Sequence, residues 1–198
     1  MKPEFQDNTA DAAWRSAMRR EMVARRQAMD ATTHARASAD LVAHLLNLPV
    51  IEPGTTLGFC WPIKQEPDVL AAIVHWRMAG CRVALAVVVA EAEALGFREW
   101  SPQTPMANDR YGIPTPQSGD WLLPGVLLLP LNAFDAGGYR LGYGGGYFDR
   151  TLARLQPRPL AIGVGFEINR VASIRPQAHD QRLDWVVTEA GAFRVQEP

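Results

Sequence analysis

Lysine is nearly absent from this 198-residue chain, which carries only Lys2 and Lys64. Neither stands in a G-K-[ST] context, so a P-loop of the usual type is excluded. Cysteine is equally scarce: Cys60 and Cys81 show no metal or redox spacing and border apolar segments, which reads as buried thiols in a reducing compartment. An excess of one charge is missing too. Twenty basic and 21 acidic side chains leave a net charge of -1, too little field to hold a nucleic acid or an anionic membrane, so any anion specificity must be local. Long hydrophobic runs are absent: "VALAVVVA" and "GVLLLPL" fall far short of the roughly 18 residues a membrane span requires. No apolar stretch follows a basic start in "MKPEFQDNTADAAWR", so no signal peptide is expected and a cytoplasmic location is. With 47% apolar and 21% charged residues and no repeats, residues 1–198 read as one globular domain.

What is present is an alternation of helical and strand-like segments. Trp14, Met18 and Met22 recur at helical spacing between Asp11 and about Met29, and a second helix is predicted from Thr33 to Leu46. "TTLGFCW" (55–61) predicts a strand, followed by a helix opening at Pro67 and closing before Gly80. "RVALAVVV" then follows, apolar without alternation, as in a strand covered on both faces. A strand, helix and strand in this order predict a parallel sheet. "LGFREW" (95–100) alternates and is placed near a sheet edge. "GVLLLPL" (125–131), a helix from Tyr147 to about Leu155, "LAIGVGF" (160–166) and "DWVVTE" (184–189) complete an α/β chain.

Between "GVLLLPL" and the helix at Tyr147 stands "RLGYGGGYFDR" (140–150). Four glycines within five residues imply unusual dihedrals or a close approach to a ligand. A strand, a glycine loop and a helix start present unpaired N–H groups and a positive dipole end, which suits phosphate. Gly142, Gly144, Gly145 and Gly146 do not spell G-x-G-x-x-G, so a dinucleotide fold of the usual type is not indicated. Arg140 and Arg150 offer charge, Tyr143 and Tyr147 offer aromatic faces, and Asp149 offers an oxygen for a divalent cation. On the first helix Arg15, Arg19 and Arg26 fall within about 40° of one another. Such a stripe is either a solvated face or a surface for an anion.

These residues resemble the 5-formyltetrahydrofolate cyclo-ligase family along nearly the whole chain. The likeness is carried by "WRSAMRREMVARR", "KQEPDVLAAI", "LGFREW" with "YGIPTP", the long "LLLPLNAFDAGGYRLGYGGGYFDRTLA", and "AHDQRLDWVVTE". It implies a three-layer α/β/α fold with a mostly parallel open sheet, and an ATP- and Mg²⁺-dependent conversion of 5-formyltetrahydrofolate to 5,10-methenyltetrahydrofolate, ADP and phosphate through a phosphorylated formyl group.

The resemblance also implies roles. Arg15 and Arg19 fall on basic positions that contact ATP phosphates, and many members have lysine in place of Arg15. Gly142, Tyr143, Gly144, Gly145, Gly146, Tyr147 and Arg150 would wrap the nucleotide, with Arg140 and Tyr147 nearest the chemistry. Asp149 matches a magnesium position, with a second acid at Asp180 or Asp184, of which Asp180 is preferred because it sits in a loop. Glu66 would hold the pterin, and Phe59, Trp61, Trp100 and Tyr143 would line its pocket. Thr115 stands where relatives have an acid, and His179 is as readily structural as catalytic. Partners would be small molecules, without nucleic acid or membrane, in a monomer or weak homo-oligomer. A folate- or nucleotide-binding relative without turnover is the alternative, and a glycine- and arginine-rich RNA surface fits the embedded loop and the charge balance poorly.

Overall fold

The computed structural model describes residues 9–196; the lysine at position 2 and the first part of the N-terminal segment lie outside the described residues. In chain order the elements are α1 (Thr9–Gln27), α2 (Ala31–Leu46), β1 (Thr56–Phe59), α3 (Leu70–Met78), β2 (Arg82–Val87), β3 (Gly96–Glu99), β4 (Met106–Asn108) and β5 (Pro114–Pro116). Then come β6 (Val126–Pro130), β7 (Ala133–Phe134), β8 (Arg140–Leu141), α4 (Tyr147–Arg154), β9 (Leu160–Val164), β10 (Trp185–Thr188) and β11 (Gly191–Arg194).

Seven strands form one sheet in the order β11-β10-β9-β6-β1-β2-β3. The five inner strands are parallel, while β3 and β11 close the two edges antiparallel. The period of two in a strand explains the layering. In β6, Val126 and Leu128 join the core beneath α2 and α3, whereas Leu127 and Leu129 join the core that includes Leu152 of α4. Burial on both faces is why β6 reads as continuous apolar sequence. Gly58 in β1 serves close packing: a Cβ there would come within 2.5 Å of Leu127 Cδ2 and 2.9 Å of the Phe97 ring. α1 contributes Met22 to a third, smaller cluster with Ala133, Leu141 and Ile174.

Several boundaries differ from the sequence reading, mostly at the carboxyl ends of strands. β1 stops at Phe59, β2 at Val87 and β9 at Val164, each two residues short of its apolar run. The residues after β1 and β2 turn away to wall a cavity. α3 opens at Leu70 instead of Pro67, because the Leu70 N–H donates to Asp68 Oδ1 and the Asp68 N–H to Ser38 Oγ. The preceding residues are thereby held outside the helix. α2 starts at Ala31, capped by Asp30, whose side chain accepts from the Thr33 N–H at 2.9 Å. The expected edge strand is β3, and the short hairpins β4–β5 and β7–β8 and the final strand β11 have no counterpart in the sequence-based expectation.

Candidate active site

A cavity of about 850 Å³ opens at the carboxyl ends of β1, β2 and β6, between α1, the glycine run and the β4–β5 hairpin. Open parallel sheets bind ligands on this side, and the volume is that of a substantial ligand pocket. Glu66 stands at one end, in the loop after β1. Arg15 and Arg19 of α1, Arg140, the glycines and Asp149 stand at the other, with Asp180 from the loop before β10.

The Glu66 end is built by a tight turn. Lys64 and Gln65 both have positive φ, 48° and 55°, a conformation that costs energy in non-glycine residues. Four bonds hold it: the Glu66 N–H to Ile63 O at 2.9 Å, the Ile63 N–H to Glu66 Oε2 at 3.0 Å, Arg26 Nε to Lys64 O at 3.0 Å, and His34 Nε2 against Glu66 O at 3.0 Å. Glu66 Oε1 accepts from the Tyr143 hydroxyl at 2.6 Å, and that hydroxyl accepts from Arg26 Nη2 at 2.9 Å. Only 5% of Glu66 is exposed. Burial raises its pKa above the ordinary glutamate value, outweighing Tyr143, the Ile63 N–H, Arg26 and Lys64, all of which favour the anion.

The opposite end is dominated by arginine. Arg15 clasps Asp180 with Nη1 to Oδ2 at 2.6 Å and Nη2 to Oδ1 at 2.9 Å, a buried two-point pair. Burial alone would raise the Asp180 carboxyl, but Arg15, the Gln177 N–H and His179 together hold it below the ordinary aspartate value. Arg140, equally buried, donates to Gln181 O at 2.7 Å and to Asp149 Oδ1 at 3.0 Å. Asp149 Oδ1 also accepts from the Gln181 N–H, and 23% of the Asp149 side chain stays exposed. Arg19 is half-buried and donates to Gly142 O at 3.1 Å. Burial and the adjacent Arg15 charge lower its pKa, so an anion placed there would relieve the repulsion.

The glycine run is shaped for close approach. Gly144 and Gly146 have φ of +96° and +65°, and Gly146 caps α4 in the left-handed conformation. A Cβ on Gly145 would lie 2.8 Å from the Tyr147 ring, and one on Gly146 would lie 2.7 Å from Arg150 Nη1. Backbone N–H groups at the start of α4, with Arg19 and Arg140 beside them, suit phosphate oxygens. For a divalent cation the fit is partial. Among the described residues no three His, Cys, Asp or Glu side chains converge as a metal cage. Magnesium, however, is usually held by one or two carboxylates together with substrate phosphates, and Asp149 answers that requirement better than the clasped Asp180.

Most of the predicted residues meet in this cavity: Arg15, Arg19, Trp61, Glu66, Arg140, Gly142 to Tyr147, Asp149 and Asp180 all line it. Three do not. Phe59, the last residue of β1, and Trp100, which follows β3, were expected to line the pterin pocket but lie in the core with their rings edge to face at 5.4 Å, packed with side chains of α2 and α3. Arg150 turns outward to Glu93 O and to Gly145 O, with its guanidinium 5.1 Å from the Tyr147 ring centroid, and braces the run from behind. Asp184 is paired with Arg158 and the Ala161 N–H, away from the cavity. Cys60 is only half-buried and lines the cavity, contrary to its reading as a core thiol, while Cys81 is buried.

Two further residues contribute beyond those the sequence pattern indicates. Arg26, read only as part of the stripe, is almost wholly buried and ties α1 to both the turn and the glycine run. Its place two helical turns beyond Arg19 was the available signal. Tyr111, at the tip of the β4–β5 hairpin, meets the Tyr147 hydroxyl at 3.0 Å, a pairing with no local sequence signal.

A family model described as the 5-formyltetrahydrofolate cyclo-ligase family matches residues 11–189. The chain is 29% identical over 176 residues to the 5-formyltetrahydrofolate cyclo-ligase of Haemophilus influenzae, covering 85% of this chain and 94% of that protein. It is also 29% identical over 171 residues to the enzyme of the same name from Escherichia coli K12, covering 83% and 94%. Among solved structures, the 5,10-methenyltetrahydrofolate synthetase of Aquifex aeolicus superposes with a TM-score of 0.81 at 25% identity, over 93% of this chain and 94% of that one. A second structure, a 5,10-methenyltetrahydrofolate synthetase of Mycoplasma pneumoniae, gives a TM-score of 0.73 at 20% identity, over 88% and 98%, a likeness of fold.

Proposed function

The chain belongs to the 5-formyltetrahydrofolate cyclo-ligase family, and from that premise we propose that it converts 5-formyltetrahydrofolate and ATP, with Mg²⁺, into 5,10-methenyltetrahydrofolate, ADP and phosphate. The observation that carries this reading is the sharing of one cavity by Glu66 and the arginine-flanked glycine run. A carboxylate can accept paired N–H bonds from an aminopyrimidinone edge, while the run and Arg19 receive phosphates.

An amide oxygen is a poor nucleophile and a poor leaving group. The nucleotide supplies the remedy: the formyl oxygen takes the γ-phosphoryl group and releases ADP, N10 attacks the activated carbon, and the C–O bond breaks to release phosphate as the N10 proton is lost to the departing phosphate or to solvent. What remains for the protein is positioning and charge neutralisation. Glu66 orients the pterin so that the formyl group faces the glycine run. Arg140 and Tyr147 flank the reacting end. Arg15 fixes Asp180 and the loop behind it, and Arg19 meets the phosphates. Asp149 would hold Mg²⁺, which would supply positive charge to offset that developing on the transferring phosphoryl group.

The same reading makes this a one-domain cytoplasmic enzyme acting on small molecules, monomeric or weakly self-associating, without a nucleic-acid partner. Among the described residues no helix is long and apolar enough to cross a membrane. A near-ultraviolet assay of methenyltetrahydrofolate formation tests the proposal. A signal that needs folate, ATP and Mg²⁺ together is expected. Binding of both ligands without that signal would favour the relative that lacks turnover.

A further inference from the structure

The two ends of the cavity share one residue. Tyr143 belongs to the glycine run by sequence, yet its hydroxyl lies between Glu66 Oε1, 2.6 Å away, and Arg26 Nη2, 2.9 Å away. The guanidinium and carboxylate are themselves 3.9 Å apart, so the phenol is interposed in a buried ion pair. Lys64 Nζ sits 5.0 Å from its ring centroid. At the same time 39% of Tyr143 is exposed, against 5% of Glu66. The phenol therefore enters the Glu66 end from the cavity side, as a ligand would.

Glu66 Oε2 is engaged by the Ile63 N–H, a bond internal to the turn. A ligand presenting two parallel N–H groups to this carboxylate uses both oxygens. Each oxygen accepts more than one bond, so the Ile63 N–H can stay on Oε2, whereas the Tyr143 phenol, reaching Oε1 from the cavity side, stands in the ligand's path of approach. The backbone permits the exchange. Gly142 and Gly144 flank Tyr143, and Gly144 already occupies positive φ, where glycine moves without a Cβ penalty. Through Gly142, whose carbonyl accepts from Arg19 Nε, a movement of Tyr143 reaches the arginine facing the phosphate end.

We propose that Tyr143 is a positioning residue that couples the two halves of the cavity: its hydroxyl holds the place of the pterin N–H group at Glu66, and its displacement by folate releases the glycine run to close on nucleotide phosphates. This rests on the functional reading above. Folate binding then raises nucleotide affinity, and by linkage nucleotide raises folate affinity by the same factor. A tyrosine that only packs the loop would stay in place when folate binds and would carry no coupling.

The test uses the full chain with 3-fluorotyrosine placed at position 143. Saturation with 5-formyltetrahydrofolate alone is expected to shift the fluorine resonance. Calorimetry with a non-hydrolysable ATP analogue is expected to show affinity rising about tenfold when folate is present, within the range usual for linked sites. In Tyr143→Phe that factor should fall below about twofold, because the hydroxyl that folate must displace is gone. A resonance unmoved at saturation, or coupling retained in Tyr143→Phe, overturns the proposal while leaving the function intact. Failure of folate to bind the unsubstituted chain overturns both. Since Tyr143→Phe deprives buried Arg26 of one acceptor, the fluorine shift provides a readout that needs no such variant.

Discussion

Each end of the cavity holds a buried carboxylate, and the two are perturbed in opposite directions. Asp180 is clasped at both oxygens by Arg15 and is held below the ordinary aspartate value. Glu66 has a hydroxyl and one backbone N–H for partners, Arg26 standing off at 3.9 Å, and is pushed above the ordinary glutamate value. The difference separates architecture from recognition. A guanidinium that satisfies a carboxylate completely makes a structural brace and leaves little for a ligand. A carboxylate held by a movable hydroxyl, with its charge only partly compensated, keeps an unmet demand for N–H donors. Asp149 lies between these cases, bonded to Arg140 and the Gln181 N–H but still partly open to the cavity.

The largest expected effect tests the brace. Asp180→Asn breaks a buried ion pair and leaves the Arg15 charge uncompensated, which should cost about 3–5 kcal/mol in denaturant unfolding. A loss below about 1 kcal/mol would mean the clasp is not structural. Next, Asp149→Ala should lower turnover roughly 100-fold, the scale for removing one group that stabilises transition-state charge, with higher Mg²⁺ only partly restoring the rate.

Glu66→Gln should behave in the opposite way to Asp180→Asn. Removing a charge that burial already disfavours offsets part of what Arg26 loses at 3.9 Å, so the loss of unfolding free energy should be clearly smaller than in Asp180→Asn, below about 3 kcal/mol. The Michaelis constant for folate should nevertheless rise at least about tenfold, with that for ATP changing less. A large loss of stability would move Glu66 into the structural class.

The pH dependence of stability separates the same two groups. Asp180 has a folded pKa below its ordinary 3.8, so the unfolded chain binds more protons between those values. Its contribution is complete above about pH 4 and is lost as pH falls through the folded value. Glu66 is raised from 4.5, so its contribution is complete below that value and is lost as pH rises through the folded one. In Asp180→Asn the acid limb of the stability profile should flatten, and in Glu66→Gln the decline above pH 4.5 should disappear. The smallest effect belongs to Arg25→Ala, whose exposed pair with Glu21 should contribute less than about 0.5 kcal/mol.

The inner sheet was legible because β6, β2 and β9 are apolar on both faces, and a run such as "VLLLP" leaves few other structures available. The phosphate-suited character of the glycine run was legible because local sequence carries its chemistry, whereas Glu66 was indicated only by the family resemblance. What could not be read is set by tertiary register. Whether Phe59 points to the cavity or to α2 depends on the pleat, and a one-residue shift would reverse it. The burial of Arg26 depends on acceptors 38 to 117 positions away, Lys64 O, Asn132 Oδ1 and Tyr143 among them. Strands β4, β5, β7 and β8 span only two or three residues, too short to establish a period.

The division of the cavity into a folate end and a phosphate end is tested most directly by measuring 5-formyltetrahydrofolate affinity for Glu66→Gln and Asp149→Asn side by side, without nucleotide. The account predicts a dissociation constant raised at least about tenfold in Glu66→Gln, where a charge-assisted pair is lost, and one within about twofold of the unsubstituted chain in Asp149→Asn. Equal losses in the two variants, or a loss confined to Asp149→Asn, would contradict it.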